Sequence, residues 1–273
     1  MKKKLNLIAT IFVLLVFSNF ANATVTVPLN TGYDHWLNAA YPIPTTSTPQ
    51  QFLQDDYWMH LSNPVGNTWS PAYAITGHPA WAGPMTSPIF RSNWLNSRTT
   101  WSSAPTTNPT NPGYTIYRKC FCLQNGFIEP QINFNIRADE SVTAWLNTIM
   151  NTVLPPSPSN HGTTPHTTST TRGFRVGSNC LYVLIEDTGI ATGFDLNGSV
   201  STTAGLLSTP AKGPNQSYAP CSCNQFDGTI FTESDSQISD ILAENVETET
   251  VKEIVKFAEE RRVQRLNDES KSK

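Results

Sequence analysis

Apolar and polar residues alternate along several short segments between residues 115 and 200. In the segment 132–138, Ile132, Phe134 and Ile136 fall in one row and Asn133 and Asn135 in the other. The same period of two recurs in the segments 115–123, 142–147, 181–185 and 194–200. Because successive side chains on a strand point to opposite faces, each segment is predicted to be a strand with one buried face. Turn signals such as Asn-Gly and Asp-Thr-Gly separate the segments, and the whole pattern predicts an antiparallel β-sandwich.

The segment 155–173, PPSPSNHGTTPHTTSTTRG, has no period and almost no apolar residue. We therefore expect a long exposed loop here. His161 and His166 lie in this segment, and imidazole nitrogens are common metal ligands. A solvated polar loop accounts for both histidines equally simply, so we predict no metal site.

The pattern changes near residue 232. Residues 232–273 contain 11 acidic and 7 basic residues and no Pro, Gly, Cys or Trp. Their apolar residues recur mostly three to five positions apart, which predicts a helix with one apolar face: Ile238, Ile241, Leu242, Val246, Val251, Ile254, Val255 and Ala258. Two interpretations stay open, a solvated helix that frays alone and a handle for docking or self-association through residues 234–266.

The N-terminus has the layout of a secretory signal peptide. Three lysines at residues 2–4 precede an apolar run from about Leu5 to Phe17, and Ala21-Asn22-Ala23 follows. We expect cleavage after Ala23. The run is shorter than the roughly 20 apolar residues that a spanning helix needs. The expected product is secreted, periplasmic or held at the cell surface, with no membrane insertion after cleavage.

Composition divides the expected product into two regions. Residues 24–231 contain 10 acidic and 8 basic residues and all seven tryptophans, and they are predicted to form the β-sandwich domain. Residues 232–273 form the charged helical tail. The formal net charge of −3 becomes −6 when the three lysines of the signal peptide are removed. Nucleic acids and anionic membranes bind basic surfaces, so neither is an expected partner.

Several short motifs follow one another along the sandwich region: DDYWMHLSNP, SPAYAIT, HPAW, SNWLN, GYTIYRKCFCL, FNIRADESVTAWLN, VGSNCLYVLIEDTG and GFDLNGSV. Over roughly residues 33–205 their order resembles that of secreted bacterial jelly-roll domains of the galactose-binding-like type. The resemblance implies a jelly roll and a non-catalytic module used for binding or assembly. One departure is Leu146-Asn147-Thr148 in place of the usual Leu-Asn-Gly, so we expect a different turn geometry at Asn147.

All five cysteines follow the signal segment, and an exported chain meets an oxidising environment. Cys120 and Cys122 lie two apart on one predicted strand and point to the same side, too far apart to bond each other. We favour an arrangement in which the segment 206–231 crosses the outside of the sandwich, with Cys221, Cys223 or both bonded to that pair. Cys180 shares the same face by alternation, so the connectivity and the odd cysteine stay open.

A zinc cage is the alternative use of these cysteines, because four thiolates in two close pairs can surround one ion. The usual spacing is C-x2-C, whereas a gap of one residue on an extended strand aims both sulfurs in parallel. We therefore expect disulfides, no metal and no cofactor.

Catalytic patterns are missing from the sequence. Asp139 and Glu140 are adjacent, and neighbours on an extended chain point apart, so they do not form a glycosidase pair. Asp139 is predicted to cap a hairpin turn. There is no nucleophile elbow, P-loop, H-E-x-x-H or dinucleotide fingerprint, so we expect no enzyme. Asn197 and Asn215 begin formal glycosylation sequons.

Tryptophans are the remaining candidates for a ligand site, because exposed indole rings stack on sugars. Trp81, Trp94 and Trp101 lie in loop-rich sequence, and Trp145 faces away from the apolar row of its strand. These four are the predicted ligand-binding residues, with core packing as the alternative for most of them. The expected function is a secreted binding or adhesion module for a glycan or a surface protein. The alternative is a structural subunit joined to other copies through its tail and disulfides.

Overall fold

The computed structural model describes residues 24–34, 39–40, 54–63, 68–83, 85, 92–98, 100, 102, 113–203, 207–208, 223 and 233–271. The predicted signal peptide, Trp101, Asn215 and Cys221 lie outside them. The described strands and helix are β1 (Val25–Pro28), β2 (Tyr33–Asp34), β3 (Ala39–Ala40), β4 (Gln54–Asn63), β5 (Thr68–Ala74), β6 (Leu95–Asn96), β7 (Gly113–Leu123), β8 (Gln131–Asp139), β9 (Val142–Leu146), β10 (Thr152–Ser157), β11 (His166–Thr170), β12 (Gly177–Asp187), β13 (Gly193–Thr202), β14 (Leu207–Ser208) and α1 (Glu233–Lys271).

Backbone pairing joins these strands in the order β10-β9-β12-β7-β4-β5-β6-β13-β8-β11, with β1 beside β13 and β14 beside β7. The ladders are antiparallel, including the long pairs β7–β12 and β8–β13. Strands β2 and β3 form a separate small ladder. No helix in the described part of the chain is long and apolar enough to span a membrane.

One apolar core lies between the two layers of the folded sheet. Phe121 on β7, Ala144 on β9 and Val183 on β12 pack in one cluster with Phe134 on β8 and Leu196 on β13. These are the apolar rows that the alternation predicted. The prediction of an all-β sandwich followed by a helix is therefore confirmed.

The segment 155–173 is not one long loop, and that prediction is wrong. Strand β11 occupies its second half, and His166–Thr170 pair with Ile136–Ile132 of β8. The strand was missed because its sequence, HTTST, is polar on both faces and so has no apolar alternation. Its inward hydroxyl, on Thr168, donates a hydrogen bond of 2.6 Å to the carbonyl oxygen of Val153 instead of filling an apolar site.

Helix α1 packs on the outer face of β7, β9 and β12. Its side chains Val251, Ile254 and Ala258 are buried in a second apolar cluster. On the sheet side this cluster contains Ile116, Cys120, Trp145, Cys180, Tyr182 and Leu184. The helix is therefore neither solvated all round nor left to fray alone over this stretch. Trp145, which faces away from the apolar row of its strand, is covered by the helix.

Two disulfides lie on the same outer face. Cys120 on β7 bonds Cys180, its register partner on β12, and Cys122 bonds Cys223. The favoured attachment of the segment after the sandwich to β7 is thus confirmed for Cys223. Because these four sulfurs are bonded in pairs, they are not thiolates and cannot form the alternative zinc cage.

Candidate functional site

Six small polar side chains line up across three neighbouring strands. Asn135 on β8 is in register with Thr167 on β11 and with Asn197 on β13. One row further along, Asn133 is in register with Ser169 and Ser199. These residues alternate with the core residues of the same strands, so they project from the outer face of this layer. The second layer thus carries two polar rows, each three strands wide.

These two rows border a cavity of about 530 Å³, which we call the polar cavity. Its lining has amide and hydroxyl side chains and no charged residue. Thr167 Oγ1 donates a hydrogen bond of 2.7 Å to Asn135 Oδ1, which fixes the orientation of that amide. Asn133, Thr167 and Ser169 are exposed to solvent, whereas Asn197 is only 8% exposed and lies deeper. The cavity is within the size range of small-ligand sites.

The next row along the same strands is closed by other parts of the chain. Arg137 on β8 is in register with Asp195 on β13. The Arg137 guanidinium donates hydrogen bonds of 3.0 Å each to the carbonyl oxygens of Gly83 and Thr163. Asp195 is fully buried and accepts a hydrogen bond of 2.8 Å from the Met85 backbone N–H. The polar cavity therefore does not extend past this row. The charged groups of Arg137 and Asp195 are held in contacts within the protein.

Burial raises the pKa of Asp195 to about 6. Hydrogen bonds from Ser92, Met85 and Thr31 oppose that shift, as does the charge of Arg137, but desolvation outweighs them. The Thr31 hydroxyl also donates to the Asn93 carbonyl oxygen at 2.6 Å. Asp195 thus joins two separate stretches of chain beside the polar cavity.

Gly198 forms part of the cavity floor. A Cβ atom there would clash with the carbonyl oxygen of Asn133 and the Cβ of Phe134, its neighbours on β8. The close approach of β13 to β8 at this point therefore requires glycine. The Gly198 N–H donates a hydrogen bond of 3.0 Å to Asn30 Oδ1. A side chain at this position would move the strands that hold Asn133 and Ser199.

Neutral amide and hydroxyl groups determine what the polar cavity can bind. Each amide offers both donors and an acceptor, and each hydroxyl both donates and accepts. Such a surface matches a ligand with many hydroxyl groups and lacks the cation that would hold a phosphate or a carboxylate. Asn197, the first residue of a sequon, is 8% exposed in this strand.

The tryptophans predicted as ligand contacts lie elsewhere. Trp81 and Trp94 pack against each other with ring centroids 4.3 Å apart, in a small cluster with Ile75 and Ala191. Trp94 is 1% exposed, and its Nε1 donates to the Ala82 carbonyl oxygen at 3.0 Å. Trp81 is 8% exposed, and Trp145 is buried under α1. None of these three presents an open ring face for stacking, which corrects that expectation in favour of core packing.

Asn147 occupies the predicted turn after β9, with a left-handed φ of 64°. Asparagine tolerates this conformation better than most residues, and Thr148, which stands in place of the usual glycine, does not have a positive φ. Its Oδ1 accepts a hydrogen bond of 2.8 Å from the Cys180 N–H, and its Nδ2 donates to the Gly173 carbonyl oxygen at 2.8 Å. Thr250 on α1 donates to the Asn147 carbonyl oxygen at 2.9 Å. Asn147 thus connects a turn, a strand and the helix.

Asp139 lies at the end of β8 and contacts His161, with 3.0 Å between Oδ1 and Nδ1. Burial raises the pKa of the Asp139 carboxyl, and a hydrogen bond from the Glu140 backbone N–H opposes the rise. Glu140 turns to a different partner, Thr188, whose hydroxyl donates to it at 2.6 Å. The two adjacent carboxylates therefore do not flank a common site.

Ser159, His161 and Asp139 lie together and invite comparison with a catalytic triad. Ser159 Oγ lies 2.8 Å from His161 Nδ1, the same nitrogen that contacts Asp139. A triad needs the carboxylate on one ring nitrogen and the nucleophile on the other, so that the proton can pass through the ring. This geometry does not provide that path. Within the described ranges, no group of three His, Cys, Asp or Glu side chains is placed to hold a metal ion.

Sequence reasoning did not identify the polar cavity. The only signal was a shared spacing, because Asn133 and Asn135, Thr167 and Ser169, and Asn197 and Ser199 are each separated by one residue. Combining the three pairs requires the pairing of β11 with β8 and of β8 with β13, and β11 had been assigned to a loop.

No protein-family model matches the chain, and no curated protein sequence matches it. Among solved structures, a PA14 sugar-binding domain from an RTX adhesin is similar over 35% of this chain and 51% of that chain, with 16% identity and a TM-score of 0.23. A β-glucosidase from Kluyveromyces marxianus, in complex with glucose, is similar over 58% of this chain and 17% of that chain, with 13% identity and a TM-score of 0.28. The chain thus spans about half of the first structure and a minor part of the second, and similarities of this size support no conclusion about function.

Proposed function

We propose that this protein is a secreted, non-enzymatic module that binds a neutral glycan in the polar cavity. The observation that carries the proposal is the register of six amide and hydroxyl side chains over a cavity of about 530 Å³. Sugars present closely spaced hydroxyl groups that both donate and accept hydrogen bonds, and this lining offers the same capacity.

The chemistry of the lining favours a neutral sugar over an acidic one. Arg137, the basic residue of the neighbouring row, donates to Thr163 and Gly83 and is not directed to a ligand. The resemblance to galactose-binding-like jelly rolls implies a non-catalytic module used for binding or assembly and does not identify the ligand. Membership of that family is part of the proposal. Export agrees with the two disulfides, because disulfides persist in oxidising compartments.

Binding of a glycan panel to the chain without residues 1–23 tests the proposal. Each bound glycan is then titrated calorimetrically against the Asn135→Ala variant and against Asn125→Ala as a control. Asn125 lies exposed in the β7–β8 turn, outside the polar cavity. We expect Asn135→Ala to weaken binding at least about tenfold, since a buried partner left unpaired costs about 1–3 kcal/mol, and Asn125→Ala to leave it unchanged. Failure to bind any neutral glycan, or equal binding by both variants, would contradict the proposal.

A further inference from the structure

The outer side chains of β7, β9 and β12 form what we call the helix-binding face. Its apolar part contains Ile116, Trp145, Tyr182 and Leu184, and its charged part consists of Arg118 and Glu186. Both charged residues are nearly buried, at 4% and 5% exposure. A surface that combines aromatic rings with buried charges needs a covering element that supplies matching partners.

Helix α1 supplies those partners at two points. Glu247 pairs with Arg118, whose guanidinium also lies 4.1 Å from the centre of the Trp69 ring. Further along the helix, Arg261 and Arg265 both donate to the carboxylate of Glu186. Between these points Ile254 is fully buried and Phe257 packs edge to face on Trp145. The face therefore recognises a helix with an acidic residue at one end, an apolar middle and two arginines near the other end.

The connection between the helix and the sandwich is short but covalently fixed. Cys223 is bonded to Cys122 on β7, and nine residues, 224–232, separate it from the start of α1. Nine residues span at most roughly 30 Å when extended. That reach allows α1 to lie on its own helix-binding face or on that of a second chain placed directly beside it.

We propose that the helix-binding face is a self-association surface, on which α1 of a second copy takes the place of the chain's own helix. The helix of a second copy makes the same contacts as the chain's own helix, so exchange loses no interaction. Its extent then depends only on the protein concentration. A short tether gives the chain's own helix an effective concentration in the millimolar range. Single chains therefore predominate in dilute solution, and exchange becomes important where copies are crowded together on a surface.

A pair of complementary charge variants of the expected mature chain tests exchange directly. The first variant is Glu186→Arg, which repels its own arginines. The second is Arg261→Glu with Arg265→Glu, which repels its own Glu186. In a mixture of the two, the helix of each variant matches the face of the other, so both interfaces of a reciprocal dimer are complementary. Neither variant has a matching partner when it is alone.

Light scattering coupled to size-exclusion chromatography provides the measurement. We expect each variant alone to be monomeric and their equal mixture to form a particle of twice the chain mass, with affinity at least tenfold above either variant alone. The control carries all three substitutions in one chain, restores complementarity within that chain, and should be monomeric. A mixture that stays monomeric while the control folds normally would overturn the proposal.

A second experiment decides the matter if either charge variant fails to fold. Unlabelled and nitrogen-15-labelled wild-type chains are mixed at about 1 mM, near the effective concentration of the tethered helix, and examined by native mass spectrometry. Dimers of mixed isotopic mass support exchange. Their absence at this concentration overturns it. Both experiments are independent of glycan binding, so failure of one proposal leaves the other standing.

Discussion

Trp145 on β9 and Phe257 on α1 meet edge to face, with ring centroids 5.2 Å apart and planes at 85°. Trp145 is 2% exposed because of this cover. The helix therefore belongs to the hydrophobic structure of the domain, and substitutions on its buried side should affect the stability of the sandwich. Aromatic pairs of this geometry add about 0.5–1.5 kcal/mol beyond the area that they bury.

Two substitutions on α1 test whether the helix is part of the cooperative fold. Ile254 is fully buried against the sheet, so Ile254→Ala should lower the free energy of unfolding by about 2–5 kcal/mol. Val263 is 50% exposed on the same helix, and Val263→Ala should change it by less than about 0.5 kcal/mol. Urea denaturation followed by tryptophan fluorescence measures both. Equal effects of the two substitutions would mean that the helix unfolds separately.

The floor of the polar cavity depends on a glycine. Gly198→Ala should lower the free energy of unfolding by about 1–3 kcal/mol, because the new methyl group must push β13 away from β8. It should also weaken glycan binding by moving Asn197 and Ser199. Gly83→Ala is the matched control, since a Cβ there meets no atom within 4 Å. Thermal unfolding of the two variants is the measurement, and a neutral Gly198→Ala variant would show that the strands can separate without cost.

Asp195 should contribute a loss of stability as the pH rises from about 4 to about 6. Its pKa is about 6 in the folded chain and near 3.8 when unfolded, so the folded state binds more protons in this interval. The stability lost across the interval is roughly 3 kcal/mol. Asp195→Asn should remove this loss. Urea unfolding of variant and wild type between pH 4 and pH 7 gives the difference, and an unchanged pH slope would refute the assignment.

His60 should have the opposite effect over almost the same interval. Burial lowers its pKa from 6.5 to about 4, so the unfolded state binds more protons there and stability is lost as the pH falls. The loss from this group is again roughly 3 kcal/mol. His60→Gln should therefore reveal a stability that decreases with rising pH, whereas Asp195→Asn should reveal one that increases. In the wild type the two contributions largely cancel, and variants with identical slopes would contradict this account.

Peptide mapping checks the disulfides without a mutation. Cys120 and Cys122 must be separated by cleavage after Phe121 under non-reducing conditions, and we expect one peptide linked to Cys180 and the other to Cys223. The second bond closes a loop of about 100 residues, so Cys122→Ser with Cys223→Ser should lower the free energy of unfolding by about 4–5 kcal/mol. A peptide joining Cys122 to Cys180 would contradict the structure.

Alternation along the chain was sufficient to predict the sandwich and its core rows, because a buried strand face must be apolar. The outer row of β7 was also predictable, down to the cysteines that needed covering. The element that covers it was not identified, because the apolar positions Val251, Ile254 and Ala258 predict an apolar face on the tail but not the surface that this face contacts. In the sequence, the members of an ion pair such as Glu186 with Arg261 and Arg265 cannot be distinguished from solvated charges, because the pairing depends on the fold.

The candidate site was harder to predict than the fold. Trp81 and Trp94 were predicted as ligand contacts because indole rings stack on sugars. The same large apolar rings also pack well in a hydrophobic core, so the residue type does not distinguish the two roles. The six small polar side chains of the cavity give no individual signal, because serine, threonine and asparagine are common on any exposed strand. Only the pairing of three strands, which are distant in sequence, makes them a surface.

The bond between Cys122 and Cys223 has a consequence for resistance to proteolysis. A single backbone cut anywhere in residues 209–222 would not release the last fifty residues, because the sulfur bridge retains them on the far side of the nick. The clipped molecule would keep α1 covalently attached, whereas a cut between residues 224 and 232 would sever that attachment and leave the helix held by its packing alone.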